Sequence, residues 1–310
     1  MAERARPVRA RLAFALALAL ALNGCGYFNT LYNARRQFAD AERARLRGDD
    51  AAARIAYAAT IDKAAKSYRK YPRSRWSDDA LFLIARSRFE LGEYQAARAA
   101  FTELLSRTTD NDMRSAAHAY SGAAALRLAS ADEALMHLDS AAAHVSSDSE
   151  LFGFTRLWRA RAHAASGNVD AAWQNLDEVT SPRDAEFQSV QLERALLAIS
   201  RADTSRATSA FAGLMASRDV RSKIDTLAYL AYRAADVFGA EPVRAMLAPR
   251  GDWLTPARDS LVLIRAGIAQ AHGDTINGNR DLADLAGRAA TNTASAARVL
   301  LAQSRLRSVR

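Results

Sequence analysis

The chain has 310 residues, of which 50% are hydrophobic and only 8% aromatic, and its formal net charge is +9. Alanine, leucine and arginine are abundant and favour helices, whereas the residues that favour strands are scarce, so the composition predicts an all-α protein. The positive charge is spread as single arginines, with no run of five like charges and no nucleic-acid-binding motif. We therefore expect no nucleic-acid partner and at most a mild preference for acidic partners or anionic surfaces.

The N-terminus has the pattern of a secretory signal followed by a lipid anchor. An unbroken apolar run extends from Leu12 to Leu22, which is shorter than the roughly 18 residues that suggest a membrane-spanning helix. Leu22, Gly24 and Cys25 follow the lipobox order and resemble the signal of bacterial lipoproteins. The resemblance implies that the signal peptidase recognises Leu22 and Gly24, that residues 1–24 are removed, and that Cys25, the only cysteine, is acylated. A simple secretory signal followed by an incidental cysteine is the alternative.

The same resemblance implies a location. Several acyl chains make membrane anchoring stable, and Gly26, rather than aspartate, after the modified position favours the outer membrane. We expect an outer-membrane protein that faces the periplasm, with the covalent lipid on Cys25 and no other cofactor.

The segment from Asp79 to Leu105 has the pattern of two amphipathic helices joined by a tight turn. Apolar residues recur at three- and four-residue steps on both sides of Gly92. The segment resembles a tetratricopeptide repeat, in which small residues such as Ala85 and Ala97 let the two helices approach closely.

The same turn recurs along the chain at intervals of about 34 to 44 residues. The turn residues are Gly48, Gly92, Ala129, Gly167, Ala202, Gly239 and Gly273. The small residues of the second helix are Ala53, Ala97, Ala134, Ala172 and Ala207, with Arg244 and Gly278 in two degenerate repeats. The large residues that follow them are Tyr57, Phe101, Leu138, Leu176 and Phe211.

This periodicity predicts an α–α solenoid, a tetratricopeptide-like superhelix of about seven helical hairpins. A single helix from Ala294 to Val309 would cap it, because such arrays need a polar end. The predicted domains are the signal at 1–24, the repeats at 25–248, and a degenerate repeat with the capping helix at 249–310. An ordinary helical bundle with coincidental spacing is the alternative.

Residues 25–110 resemble outer-membrane lipoproteins of the BamD type. A tyrosine-bearing first helix is followed by Tyr71-Pro72 and then by a helix that contains Asp79-Ala80-Leu81. Proteins of that type are tetratricopeptide components of the β-barrel assembly machinery, so the resemblance implies a scaffold in outer-membrane protein assembly. The segment from Asp79 to Leu105 equally resembles periplasmic tetratricopeptide proteins that coordinate cell-wall synthesis or cell division, which gives the alternative function.

The sequence has no pattern typical of a catalytic or metal site. None of the five histidines has the spacing of a zinc helix motif, and no phosphate-binding loop or nucleophile elbow occurs. We expect no metal, no small-molecule substrate and no catalysis. A cell-wall hydrolase is the distant alternative, because some lytic transglycosylases are helical superhelices. The chain lacks their Gly- and Gln-rich catalytic block, and its lone acids fit solvated faces: Glu103, Glu178, Glu186 and Glu193.

In tetratricopeptide arrays the first helices (A helices) of the hairpins line a groove that holds peptides. The predicted lining residues are Phe82, Arg86, Phe89, Arg161, Tyr229 and Arg233. An arginine fork binds carboxylate through two hydrogen bonds, so this lining favours an acidic or carboxylate-terminated segment of an envelope protein. The alternative is that Phe82 and Phe89 pack between repeats and that the arginines are ordinary surface residues.

Overall fold

The computed structural model describes residues 30–74, 76–181, 186–216, 224–248, 255–287, 293 and 296–300. The regular structure of these residues is α-helical, without a strand among them, as the sequence predicted. The helices are α1 (30–46), α2 (Asp50–Lys70), α3 (Ser77–Glu90), α4 (Tyr94–Leu105), α5 (Asn111–Arg127), α6 (Ala131–Ala142), α7 (Phe152–Ala165), α8 (Val169–Asp177), α9 (Phe187–Ser200), α10 (Thr204–Met215), α11 (Ile224–Phe238), α12 (Ala240–Met246), α13 (Thr255–Ala271) and α14 (Thr275–Ala286). Leu22, Gly24 and Cys25 lie outside the described residues. Across the described part of the chain, no helix has both the length and the apolarity needed to cross a membrane.

Consecutive described helices form hairpins through seven turns. Six of these turns share one pattern of hydrogen bonds, whereas at the remaining turn the Gly239 N–H donates to the Ala235 carbonyl at 2.9 Å. Each turn has positive φ at the residue predicted from the sequence: Gly48, Gly92, Ala129, Gly167, Ala202, Gly239 and Gly273. At the second of these, the Glu93 N–H donates to the Arg88 carbonyl at 2.9 Å, and the Gly92 N–H donates to the Phe89 carbonyl at 3.0 Å. These bonds satisfy carbonyls that the helix end leaves without partners, and they reverse the chain.

In four hairpins the residue after the turn caps the second helix (the B helix). Its side-chain oxygen accepts a hydrogen bond from the backbone N–H three residues later, at 3.0 to 3.2 Å. The capping residues are Asp49, Asn168, Asp203 and Asp274. A left-handed residue followed by Asp or Asn therefore encodes both the end of one helix and the start of the next.

The predicted small and large residues of the B helices are all buried. Ala97 and Phe101, for example, are both 0% exposed. Gly122 of α5 marks a close approach within a hairpin, because an added Cβ there would lie 2.5 Å from Leu138 Cγ. Arg244 is also buried, although it stands where the other repeats have alanine or glycine. The chain is thus an α–α solenoid of tetratricopeptide-like hairpins.

The chain divides into two compact units, residues 1–175 and 176–310. In the first unit, α3 to α7 enclose a core of alanines and aromatic rings, and α1 to α3 enclose two smaller clusters. In the second unit, α9 to α13 enclose a core around Phe211 and Leu230. Residues 296–300 are helical and contribute Ala297 to a cluster with Leu282, while the rest of the predicted capping helix lies outside the described residues. The predicted boundary at 248/249 stays a prediction.

Candidate functional site

The A helices α3, α5 and α7 of the first unit contact one another and share a layer of aromatic rings. The ring of Tyr120 on α5 lies 5.5 Å from that of Phe89 on α3 and 4.5 Å from that of Phe154 on α7, between ring centroids. Trp158, one turn further along α7, lies 6.0 Å from Phe89 and 5.9 Å from Phe154. Aromatic rings at these distances attract one another, and this attraction adds to the free energy gained by burying their apolar area. The layer therefore joins three successive hairpins.

Three arginines lie over this layer. The guanidinium carbon of Arg86 is 5.2 Å from the Tyr120 ring centroid, and those of Arg127 and Arg161 are 5.2 Å and 4.9 Å from the Trp158 ring. A cation over an aromatic face is attracted by the ring quadrupole, which orients the guanidinium groups. Tyr120 and Trp158 are only 4% and 6% exposed, so the arginines form the solvent-accessible part of the layer.

We call this surface the aromatic–arginine face. It comprises Phe82, Arg86, Phe89, Tyr120, Arg127, Phe154, Trp158 and Arg161.

Arg86 is also held from the side of α1. Its guanidinium carbon lies 4.8 Å from the Phe38 ring, and its Nη2 lies 3.5 Å from Glu42 Oε2. Burial would raise the pKa of Glu42, but hydrogen bonds from Tyr57 and Arg45 and the charges of Arg86 and Arg45 outweigh it, and that pKa lies below its ordinary 4.5. Glu42 is therefore ionised at neutral pH, and an acidic ligand at Arg86 has to share the guanidinium with it.

Four of the six predicted groove residues meet on this face. Phe89 is 8% exposed and belongs to the core, and Phe82 is half-buried with its ring 6.0 Å from Phe101. Both rings pack between repeats, as one of the two sequence alternatives stated. Arg86 and Arg161 lie at the surface of the layer, half-buried.

The remaining two predicted residues lie on α11 in the second unit. Arg233 Nη1 donates to the Tyr229 hydroxyl at 2.8 Å, and its guanidinium carbon lies 5.6 Å from the Tyr229 ring. Tyr229 is 55% exposed and the nearby Tyr232 is 41% exposed. Arginine thus also stacks on an aromatic ring in the second unit.

The sequence prediction missed Tyr120, Arg127, Phe154 and Trp158. Counting back from the turns would have found some of them. Arg86, Arg161 and Arg233 each precede a positive-φ residue by six positions, and Tyr120 and Trp158 each precede one by nine. The groove was predicted only from the hairpins that turn at Gly92, Gly167 and Gly239, so Tyr120 and Arg127 on the A helix before Ala129 were left out.

The structure also joins two histidines that lie too far apart in sequence for a zinc helix motif. His118 of α5 and His137 of α6 are half-buried, with their Nδ1 atoms 3.0 Å apart. Among the described residues, no group of three or more His, Cys, Asp or Glu side chains is arranged to hold a metal ion.

Neither a protein-family model nor a curated protein matches the sequence. Among solved structures, the C-terminal part of a tetratricopeptide-repeat-containing protein of Cytophaga hutchinsonii matches with a TM-score of 0.50 and 15% identity, over 86% of this chain and 98% of that one. A tetratricopeptide repeat protein of Parabacteroides merdae matches with a TM-score of 0.45 and 15% identity, over 88% and 98%. The similarity to the Cytophaga structure and the turn-linked hairpins together show that this chain has a tetratricopeptide-like fold.

Proposed function

We propose that the protein is a lipid-anchored scaffold that faces the periplasm and binds segments of other envelope proteins through the aromatic–arginine face. The binding role is supported by the row of guanidinium groups that lie over aromatic rings on α3, α5 and α7. Helical-repeat folds present successive A helices as one extended surface for protein segments.

The chemistry of the face indicates the class of ligand. Arginine offers planar donor forks that match carboxylates, and rings that hold the forks in place reduce the entropy lost on binding. The rings of Tyr120 and Trp158 position Arg86, Arg127 and Arg161 in this way. An acidic or carboxylate-terminated protein segment fits these groups best.

The proposed anchor rests on the sequence around Cys25. Leu22 and Gly24 stand where a lipoprotein signal needs them, and the chain has no second cysteine with which Cys25 could form an internal disulfide. Acylation there would attach the protein to the outer membrane, and scaffolding of outer-membrane protein assembly is the leading role. Coordination of cell-wall synthesis or cell division is the second candidate, because the Asp79 to Leu105 segment resembles both groups of proteins.

Charge reversal on the face tests the binding role. We expect the double variant Arg127→Glu and Arg161→Glu to lose its envelope partner, because both guanidinium groups over Trp158 become carboxylates. Arg86 is left unchanged, since a carboxylate there would repel Glu42 and disturb the packing of α1. The matched control is Arg54→Glu with Arg69→Glu, which makes the same charge change at two exposed positions of the B helix α2.

Partners are measured by cross-linking in intact cells and quantitative mass spectrometry of the purified complexes. Loss of a partner from the Arg127/Arg161 variant and its retention by the control is the expected result. Equal recovery with both variants would contradict binding through this face.

The identity of the recovered protein separates the two candidate roles. A large β-barrel assembly protein would support outer-membrane assembly, whereas cell-wall synthases or division proteins would support the second candidate. Hydrolysis of purified peptidoglycan by the chain alone would contradict a purely scaffolding role.

A further inference from the structure

We propose that His118 and His137 bind one divalent transition-metal ion through their Nδ1 atoms, copper(II) most tightly, and that the ion clamps α5 to α6. This inference is independent of the anchor and of the aromatic–arginine face.

The hairpin brings the two imidazoles together. The Nδ1 atoms lie 3.0 Å apart, and the ring centroids 5.3 Å apart at an interplanar angle of 42°. Gly122 lies one turn after His118 and lets α5 approach α6 so closely that an added Cβ would lie 2.5 Å from Leu138 Cγ. His137 immediately precedes Leu138, so this close approach sets the distance between the imidazoles.

This separation suits two neighbouring ligands of one metal ion. Nitrogens about 2.0 to 2.1 Å from an ion, at roughly a right angle to each other, are about 2.9 Å apart. Imidazole is a preferred ligand of copper, nickel and zinc, and copper(II) binds most tightly in this series. In that right-angled arrangement each Nδ1 lone pair would point about 45° away from the line between the two nitrogens, so both rings would rotate when the ion binds.

Burial favours the neutral form of both imidazoles, which is the form that binds a metal ion. It is the main cause that lowers the pKa of His118 and of His137 below the ordinary 6.5, so both rings are neutral near pH 7. In the free protein one Nδ1 donates a hydrogen to the other. When the ion binds, that hydrogen moves through solvent to Nε2 of the same ring, and no net proton is released.

The surroundings make the site open and its affinity moderate. With two protein ligands, the remaining coordination positions belong to water. The charged or titratable groups that act on the pair are Arg98, Arg114, Glu133 and His144. Arg98 and Glu133 form an ion pair at 3.0 Å, so the charge of Arg114 is the main repulsion that the ion meets.

The test uses the full chain with Cys25→Ala, which removes the only thiol, and without a polyhistidine tag. Copper(II) and, separately, zinc(II) are titrated by calorimetry at pH 7.5, and one equivalent of copper(II) is examined by electron paramagnetic resonance. We expect one equivalent to bind, with hyperfine splitting from two nitrogens. Affinity should fall at least tenfold in His118→Gln and in His137→Gln.

His163→Gln is the matched control, because the pKa of His163 is also lowered, mainly by burial, while His163 lies on α7 outside the pair. It should bind like the parent chain. At the same concentration, the ion should also raise the melting temperature of the parent chain more than that of either pair variant.

Copper binding that neither pair substitution weakens, or its absence in the parent chain at about millimolar copper, would overturn the proposal. A readout that needs no variant is selective paramagnetic broadening of the His118 and His137 ring signals by substoichiometric copper. Broadening of other histidines, with this pair unaffected, would likewise overturn it.

Discussion

At the scale of single residues, the turns follow most directly from the sequence. Five of the seven turn residues are glycine, whereas Ala129 and Ala202 adopt φ of 62° and 52°. A left-handed conformation brings the Cβ of an L-residue close to its own carbonyl oxygen and costs about 1 to 2 kcal/mol. These two hairpins therefore carry backbone strain that their neighbours lack.

Ala129→Gly and Ala202→Gly should each raise the free energy of unfolding by about 0.5 kcal/mol. Relief of strain outweighs the larger entropy that glycine gives the unfolded chain. The converse control is Gly92→Ala, where φ is 82° and an added Cβ has nothing within 4 Å. It should cost about 1 kcal/mol through the backbone alone. Urea unfolding followed by circular dichroism measures all three, and destabilisation by either Ala→Gly change would contradict the account of the turns.

Glu42 should make the first unit sensitive to acid. Its folded pKa lies below the ordinary 4.5, because hydrogen bonds from Tyr57 and Arg45 and the charges of Arg86 and Arg45 outweigh burial. The unfolded state therefore binds the proton more readily, and the stabilisation is complete above about pH 4.5 and lost as pH falls through the folded pKa. Glu42→Gln should be less stable than wild type at pH 7, with the difference shrinking toward pH 3. A difference that stays constant with pH would show that the charge of Glu42 contributes nothing.

At the scale of elements, local signals encode each hairpin, and long-range register decides what the hairpins bring together. Gly92 and its repeats could be predicted because a left-handed residue and a cap are properties of a few adjacent residues. Two contacts depend instead on how separate helices pack. His118 and His137 are 19 residues apart in sequence, and Glu42 and Arg86 are 44 residues apart. The repeat period predicts the spacing of the hairpins, but it does not predict how each helix is rotated about its own axis.

Arg244 is an element-scale departure from the repeat. It replaces the small residue of a seven-residue B helix, α12, and its side chain is only 7% exposed. Its Nη2 lies 2.9 Å from Asp281 Oδ2 on α14, and its Nη1 lies 3.6 Å from Asp274, the residue that caps α14. The arginine thus links the two B helices through charge where other repeats rely on close apolar packing.

Arg244→Ala should destabilise the second unit by about 2 kcal/mol, because it leaves the poorly exposed Asp281 with only its longer, 4.0 Å ion pair to Arg265. The double variant Arg244→Ala with Asp281→Ala should recover part of that loss, since the carboxylate that lost its shorter ion pair is then also removed. Calorimetric unfolding compares the two. A single variant as stable as wild type would contradict a structural role for this pair.

At the scale of the whole molecule, the proposed anchor and the repeats lie close together in the chain. The helix α1 is described from residue 30, five residues after Cys25. A fully extended chain of that length spans at most about 18 Å, so acylation would hold α1 near the membrane surface. The second unit has its own core, centred on Phe211 and Leu230.

The measurement that tests the lipid-anchored scaffold most directly is the intact mass and membrane fraction of the chain, expressed in a diderm bacterium beside Cys25→Ala. We expect the wild type to begin at Cys25, to carry the mass of acyl chains and to be recovered with the outer membrane. Cys25→Ala should lack the acyl mass and leave that fraction. A wild-type chain with an unmodified Cys25 that is recovered away from the membrane would contradict the account.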